Sequence, residues 1–208
     1  MDGVDKLFAA LLGRPVLSHS LQMLQDCPLV DEIALVLSAG NLGRGRSLAD
    51  ASGWDKVVEV CLGGARRQDS VRRGLEALPD SGWIIVHDAA RPLIGNGLVT
   101  AGLASARMTG AAVAAVAITD TVKSADDQLI VSKTVPRDGL WAAQTPQVFS
   151  RAVLADAHQR VSETVTDDAE MVERLGGRVR LFTGSYSNIK ITTPDDLPIA
   201  EAVLRTRA

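Results

Sequence analysis

The sequence is short of several things, and each shortage narrows the field. It has only two cysteines, Cys27 and Cys61, and they do not form a metal-spaced pair. That argues against a disulfide framework and against a cysteine zinc site. No apolar run approaches the ~20 residues needed to span a bilayer, and the N-terminus has no signal-peptide pattern. The expectation is a cytoplasmic, soluble protein with no membrane partner. Excess positive charge is also missing: the net charge is -3 and the isoelectric point about 5.6. A generic polyanion binder, nucleic-acid binders included, is not expected, and any phosphate chemistry must come from a local basic site. Lysine is scarce. Of 22 basic residues only Lys6, Lys56, Lys123, Lys133 and Lys190 are lysines. The arginine excess reads as genomic composition bias, or as lysine kept where a compact charge suits a phosphate better than a planar fork. His19, His87 and His158 make no metal triad by spacing.

What remains is a globular chain of 208 residues, 46% apolar and 23% charged, long enough for one domain. Short apolar runs at 33–37, 57–60, 83–86 and 112–116 read as strands buried between helix layers. Helical spacing is found at 15–24, 69–78 and 98–108 between them. Such alternation predicts βαβ units and a mainly parallel sheet. At Thr121-Val122-Lys123-Ser124 and Leu129-Ile130-Val131-Ser132 the rhythm breaks into a hairpin around an acidic turn. A projecting hairpin leaves an open edge, and the same hairpin of a second subunit is its economical cover. Near the C-terminus, 179–182 and 188–191 read as strands. Thr193 is then an expected N-cap, with Pro194 at the first helical position.

Five constellations carry candidate chemistry. His87-Asp88-Ala89-Ala90-Arg91-Pro92 directly follows the strand 83–86, and ligands of open α/β sheets bind beyond the carboxyl ends of strands. A carboxylate there suits Mg2+, which takes one or two carboxylates plus substrate phosphates. The same spacing also suits Asp88 capping the next turn with Arg91 paired to it. Gly63-Gly64-Ala65-Arg66-Arg67-Gln68-Asp69-Ser70 is a glycine turn before a helix. It is either an ordinary connection capped by Asp69 or Ser70, or a loop whose amides and hydroxyl read a base edge. Arg137 follows the hairpin and is either a surface arginine or one that reaches a partner's cleft. Thr166-Asp167-Asp168-Ala169 alone is no more than an N-cap signal. Lys190 lies between Ile189 and Ile191, so an alternating strand turns it away from both, either as an exposed edge residue or as a ligand-binding residue at the sheet end.

Taken together these motifs resemble the 2-C-methyl-D-erythritol 4-phosphate cytidylyltransferase family of isoprenoid biosynthesis. The resemblance runs from Lys6 to Leu197. It rests on Gly13-Arg14-Pro15-Val16-Leu17 with His19-Ser20, on residues 63–71 and 87–92, and on Thr119-Asp120-Thr121-Val122-Lys123. It continues through 137–141 with 144–147, 166–169, and 188–192 with Pro194. Their order and spacing make the match specific. The resemblance implies a Rossmann-like α/β nucleotidyltransferase fold with a mostly parallel sheet. It implies a single domain over 1–208, whose hairpin arm at about 119–140 builds a homodimer. It further implies CTP as nucleotide, Mg2+ as metal, and transfer of CMP to methylerythritol phosphate with release of diphosphate. By the same resemblance Lys6 stabilises triphosphate charge and Gly64 and Ser70 hold the cytosine end. Asp88, Ala89 and Arg91 lie in the nucleotide and metal site, with Asp88 as the metal ligand. Thr121, Thr145 and Thr166 line the cleft, and Lys190 and the partner's Arg137 position the incoming phosphate.

The sequence departs from that pattern at its start. The family opens with a strand and an Ala-Ala-Gly loop with a following arginine, and neither precedes Lys6 here. The first strand of such folds usually lies in mid-sheet. The expectation is therefore an in-frame upstream segment encoding strand and loop, with the 208-residue form poorly soluble and essentially inactive. Two alternatives stand beside the main reading. One is CMP transfer to another polyol phosphate such as ribitol 5-phosphate. The other is an inactive paralogue kept as a binding subunit.

Overall fold

The computed structural model describes residues 5–207. Two short strands, β1 (Ala10–Leu11) and β2 (Arg14–Pro15), form a tight ribbon that leads into α1 (Val16–Asp26). Next come β3 (Ile33–Leu37), α2 (Ala39–Ser52), β4 (Val57–Leu62), α3 (Arg67–Glu76) and β5 (Trp83–Val86). The chain continues with α4 (Asn96–Thr109) and β6 (Ala111–Ala117), then β7 (Val122–Ala125), β8 (Val131–Val135) and β9 (Trp141–Ser150). It ends with α5 (Arg151–Arg160), α6 (Asp168–Arg174), β10 (Val179–Thr183) and α7 (Asp196–Arg207).

The central sheet has the order β10-β6-β9-β5. It is mixed: β10 runs parallel to β6, while β9 runs antiparallel to both β6 and β5. The alanine-rich β6 is buried along residues 111–115. On one face Ala112 and Ala114 pack with Ala106 of α4, Val148 and Phe182. On the other, Ala111 and Val113 pack with Phe149, Leu154 and Met171. Small side chains on β6 let both helix layers come close. Gly102 of α4 serves the same purpose, since a Cβ there would lie 2.7 Å from Val148 Cγ2.

A second, parallel pair is formed by β3 and β4. Among the described residues β3 pairs only with β4, and β5 only with β9. Residues of β3 and β5 line one cavity of about 880 Å³, together with Leu17, Leu21, Leu75 and Leu103. Arg67, Ser70, His87, Asp88 and Ala89 belong to the same lining, so the cavity adjoins the carboxyl end of β5.

The hairpin forms its own two-stranded sheet, with Val122 opposite Val135 and Lys123 opposite Thr134. The Asp126 carboxylate accepts from the Gln128 and Ile130 amides and so shapes the turn. Leu129 and Ile130 in the turn and Val131 at the start of β8 are 84%, 63% and 55% exposed, so the tip presents adjacent apolar side chains.

Two sequence expectations need correction near the C-terminus. Residues 188–191 are not a strand. Their polar groups are taken up singly: Asn188 Nδ2 donates to the Thr145 carbonyl at 2.8 Å, and the Ile191 amide donates to the Ala90 carbonyl at 2.8 Å. The alternation survives without a ladder, with Ile189 and Ile191 in the apolar cluster of Val16 and Leu93. The final helix begins at Asp196, not at Pro194. The Asp196 carboxylate reaches back to the amides of Thr192 and Thr193, at 2.7 and 2.8 Å, so the two threonines and Pro194 form a turn outside the helix. That compensation holds the Asp196 carboxyl below its usual range.

Strands β6 and β9 have neighbours on both sides, whereas β3 and β5 each turn one edge toward the cavity. Amide hydrogen exchange is expected to be slowest in β6 and β9, and at least about tenfold faster at the cavity-facing amides of β3 and β5. Uniform protection across all four strands would contradict this topology.

Candidate active site

Four separate stretches of sequence meet beyond the carboxyl end of β5. Asp88 is the second residue after that strand, and three cations converge on its carboxylate. Lys190 Nζ lies 3.0 Å from Oδ2 and Arg91 Nε 3.4 Å from the same oxygen, while Arg67 Nε stands 3.9 Å from Oδ1. Burial alone pushes the Asp88 carboxyl up. The Lys190 hydrogen bond and the charges of Lys190, Arg67 and Arg91 outweigh it and hold the carboxyl below its ordinary value. The Arg91 guanidinium is itself lowered by burial, partly offset by Asp88. It also donates from Nη1 to the Asn188 carbonyl at 2.8 Å, which ties the loop after β5 to the segment carrying Lys190.

The backbone of this loop is fixed by Thr145 and His87. The Asp88 amide donates to Thr145 Oγ1 at 2.9 Å, and Thr145 Oγ1 lies 3.1 Å from His87 Nδ1. His87 Nε2 lies 3.2 Å from the Arg91 carbonyl, an atom that can only accept. Nε2 therefore carries the proton, Nδ1 accepts, and the threonine hydroxyl donates to it. Burial pushes the His87 pKa down to about 4, so the ring is neutral at neutral pH. Thr145 itself is buried, with its hydroxyl committed to this chain. On the strand that carries Thr145, Gln144 Nε2 donates to the Ser185 carbonyl and Gln147 Nε2 to the Asp167 carboxylate. These bonds bring the 144–147, 166–169 and 185–190 segments to one end of the sheet.

The glycine turn before α3 stands beside this cluster. The Gly64 amide donates to Ser70 Oγ at 3.1 Å, and Ser70 Oγ donates to the Arg66 carbonyl at 3.3 Å. A Cβ at Gly64 would lie 2.3 Å from Asp69 Cβ, so only glycine lets the turn approach the helix. The structure gives the two candidate caps different roles. Asp69 accepts from the Arg66 amide and guanidinium, which holds its carboxyl down to about 2, and Ser70 closes the turn instead.

The other candidates are less tightly drawn in. Lys6 is half-buried in the turn before β1. Thr121 is exposed at the foot of the hairpin. Arg137 is exposed and donates to the Thr119 carbonyl of its own chain. Thr166 is exposed, and its hydroxyl and amide are both held by the Glu170 carboxylate, at 2.9 and 2.7 Å. The Ala89 carbonyl accepts from Ser20 Oγ at 3.0 Å, which anchors the loop to α1. Sequence reasoning overlooked Arg67 and Asp168. Asp168 is wholly buried and accepts from Arg67 Nη1 at 2.5 Å, but nothing in a Thr-Asp-Asp-Ala run announces an arginine one hundred and one residues away.

An α/β sheet with a carboxylate held among cations at its strand ends, beside a glycine turn, is the arrangement expected of a nucleotidyltransferase. The comparisons carry this to a family. The model of the family "2-C-methyl-D-erythritol 4-phosphate cytidylyltransferase" matches residues 1–206, and the chain belongs to that family. A curated relative of that name from Dehalococcoides mccartyi strain CBDB1 is 48% identical over 205 residues, covering 99% of this chain and 90% of the relative. Another from Pelotomaculum thermopropionicum is 42% identical over 207 residues, covering 97% and 87%. The crystal structure of the 2-C-methyl-D-erythritol 4-phosphate cytidylyltransferase from Thermus thermophilus superimposes with a TM-score of 0.82 at 35% identity, covering 96% of this chain and 94% of that one. The 4-diphosphocytidyl-2C-methyl-D-erythritol synthase from Anaerococcus prevotii superimposes with a TM-score of 0.86 at 31% identity, covering 96% and 93%.

The depressed His87 pKa fixes a direction in pH. From the ordinary 6.5 down to about 4 the unfolded chain takes up a proton at His87 before the folded one does. Folding stability from this residue is complete above about 6.5 and is lost as pH falls toward about 4. His87→Gln is expected to flatten this part of a stability profile measured by denaturant melts between those values. An unchanged slope would mean that the His87 ring is not held neutral.

Proposed function

We infer that the chain transfers CMP from CTP to 2-C-methyl-D-erythritol 4-phosphate, giving 4-diphosphocytidyl-2-C-methyl-D-erythritol and diphosphate. Family membership over nearly the whole chain supports this reading. The observation that carries it in the structure is the Asp88 carboxylate, gathered with Lys190, Arg91 and Arg67 beyond the end of β5. In the reaction an oxygen of the substrate phosphate bonds to the α-phosphorus of CTP. The bond from that phosphorus to the bridging oxygen breaks, and diphosphate leaves with the electron pair. Two anions must be brought together, so positioning and charge neutralisation supply the catalysis.

The residue roles are part of the proposal. Lys6 and Arg91 offset charge on the triphosphate. The Gly64 turn and Ser70 hold the cytosine, with the Ala89 backbone alongside the nucleotide. Lys190 meets the incoming phosphate and is brought close by its pairing with Asp88. Thr121 and Thr166 line the acceptor side. Thr145 contributes through the loop it anchors, since its hydroxyl is already engaged.

Among the described residues there is no group of three or more metal-ligating side chains. The site instead offers one ionised, partly exposed carboxylate whose Oδ1 has only a distant cation. That donor set fits Mg2+ brought in by the nucleotide, with Asp88 holding it. When bound, the ion would neutralise charge on the phosphates.

A homodimer completes the proposal. The exposed apolar tip of the β7–β8 hairpin supports it, as does the edge that two such hairpins would cover together. Arg137, just past β8, would then serve the partner's cleft. The cytoplasm is the proposed location, in keeping with two free cysteines and with the lack, among the described residues, of a helix long and apolar enough to cross a membrane.

In a chain that carries the family's opening strand and loop, diphosphate release is expected with CTP and methylerythritol phosphate and not with CTP and ribitol 5-phosphate, and the reverse preference would overturn the substrate assignment. Arg137→Ala and Lys190→Ala homodimers are each expected to lose at least about tenfold in kcat. Mixed subunits should regain part of it, because one hybrid cleft keeps both residues. Verified heterodimers without recovery would place Arg137 and Lys190 in the cleft of one subunit.

A further inference from the structure

Arg67 is not among the residues assigned a role by the family resemblance, yet it spans two parts of the molecule. Its Nη1 meets the carboxylate of Asp168 at 2.5 Å, and its Nε faces Oδ1 of Asp88 at 3.9 Å. The first contact is the fixed one. Asp168 sits in the first turn of α6 with no exposed surface. Its other oxygen lies 3.2 Å from Nε2 of His158, itself nearly enclosed, at an angle short of a hydrogen bond. A buried carboxylate needs a partner in such a place, and the Arg67 guanidinium supplies it. Arg67 opens α3 directly after the glycine turn. It therefore joins three elements: the base of α6, the loop expected to hold cytosine, and the loop carrying Asp88.

We propose that Arg67, clamped by the buried Asp168, is the positioning residue for Asp88. Asp168 holds the guanidinium from behind, and the guanidinium faces Oδ1 across 3.9 Å as a longer-range charge. Lys190 and Arg91 pull on Oδ2 from the other side. With cations on both sides, the carboxylate favours one orientation. Without Arg67 it would turn toward its two remaining cations and draw Lys190 away from the incoming phosphate. Misplacing a phosphate-positioning charge in a phosphoryl-type transfer costs rate more than binding.

The inference rests on the proposed reaction, and its test keeps the two apart. Arg67→Gln, Arg67→Lys, Asp168→Asn and the Arg67→Gln/Asp168→Asn pair are compared with wild type in steady-state kinetics and in crystal structures. Arg67→Gln is expected to lower kcat about 10- to 100-fold while KM for both substrates stays within about threefold. Arg67→Lys, which keeps the charge but loses the fork between two carboxylates, should recover only part of this. Asp168→Asn should lower kcat in the same way, and the double variant should be no slower than the worse single one, because both changes break one chain of contacts. The crystal structure of Arg67→Gln should show the Asp88 carboxylate rotated from its wild-type orientation. A raised KM for CTP at unchanged kcat, multiplicative losses in the double variant, or an unmoved Asp88 would each overturn the proposal. If Asp168→Asn does not fold, the Arg67→Gln kinetics and structure decide alone. If wild type itself shows no turnover with methylerythritol phosphate, the reaction is wrong, and the Asp88 orientation still decides the positioning claim.

Discussion

The site depends on keeping one carboxylate ionised among three cations in a half-buried place. Asp88 without its neighbours would be driven toward the protonated form by burial, and the neighbours without Asp88 would repel one another. Each partner comes from a different part of the chain: Arg67 from the start of α3, Arg91 from the loop after β5, Lys190 from the irregular segment before α7. The fold can hold this cluster only if those three segments reach the same end of the sheet. Much of the observed polar structure serves that end. Thr145 and His87 fix the backbone of Asp88, Asn188 ties its segment to β9, and Arg91 ties the loop to Asn188.

The arrangement suits a reaction between two anions. Nucleotidyl transfer needs no covalent protein nucleophile, and the described residues around Asp88 present none that is activated. They present charges of fixed position, which act on a charged transition state without reorganising. The sheet supplies rigidity where β6 and β9 are enclosed. Between β3 and β5 it supplies the cavity whose lining runs down to Asp88 and Ser70. The curated relatives named above extend beyond the region they share with this chain, which covers 90% and 87% of their lengths.

Much of this was legible in the sequence. The runs at 33–37 and 83–86 are strands with the expected limits, because short unbroken apolar runs rich in Val and Ile are a strand signature. The family was legible from the order of short motifs, none of which identifies it alone. Strand β9 was not legible: Ala142, Ala143, Gln144, Thr145, Pro146 and Gln147 lack a strand's usual composition, and they pair as one because β5 and β6 flank them. Helix α2 carries three glycines, a poor helical sequence, and one of them packs close to β3, where a Cβ at Gly45 would lie 2.1 Å from Leu37 Cδ1. Lys190 was placed rightly away from its isoleucine neighbours, although the ladder supposed to cause this is absent. Arg67 and Asp168 were missed because ion pairs between distant residues leave no local pattern.

The central claim is that the carboxylate of Asp88 organises the charges of the site. Asp88→Asn keeps shape and volume and removes only the charge. It can be measured in the diphosphate-release assay with CTP and methylerythritol phosphate, with folding checked by a thermal melt. The account expects a folded protein whose kcat falls by about 10²–10³. A folded Asp88→Asn enzyme with kcat within about threefold of wild type would contradict it.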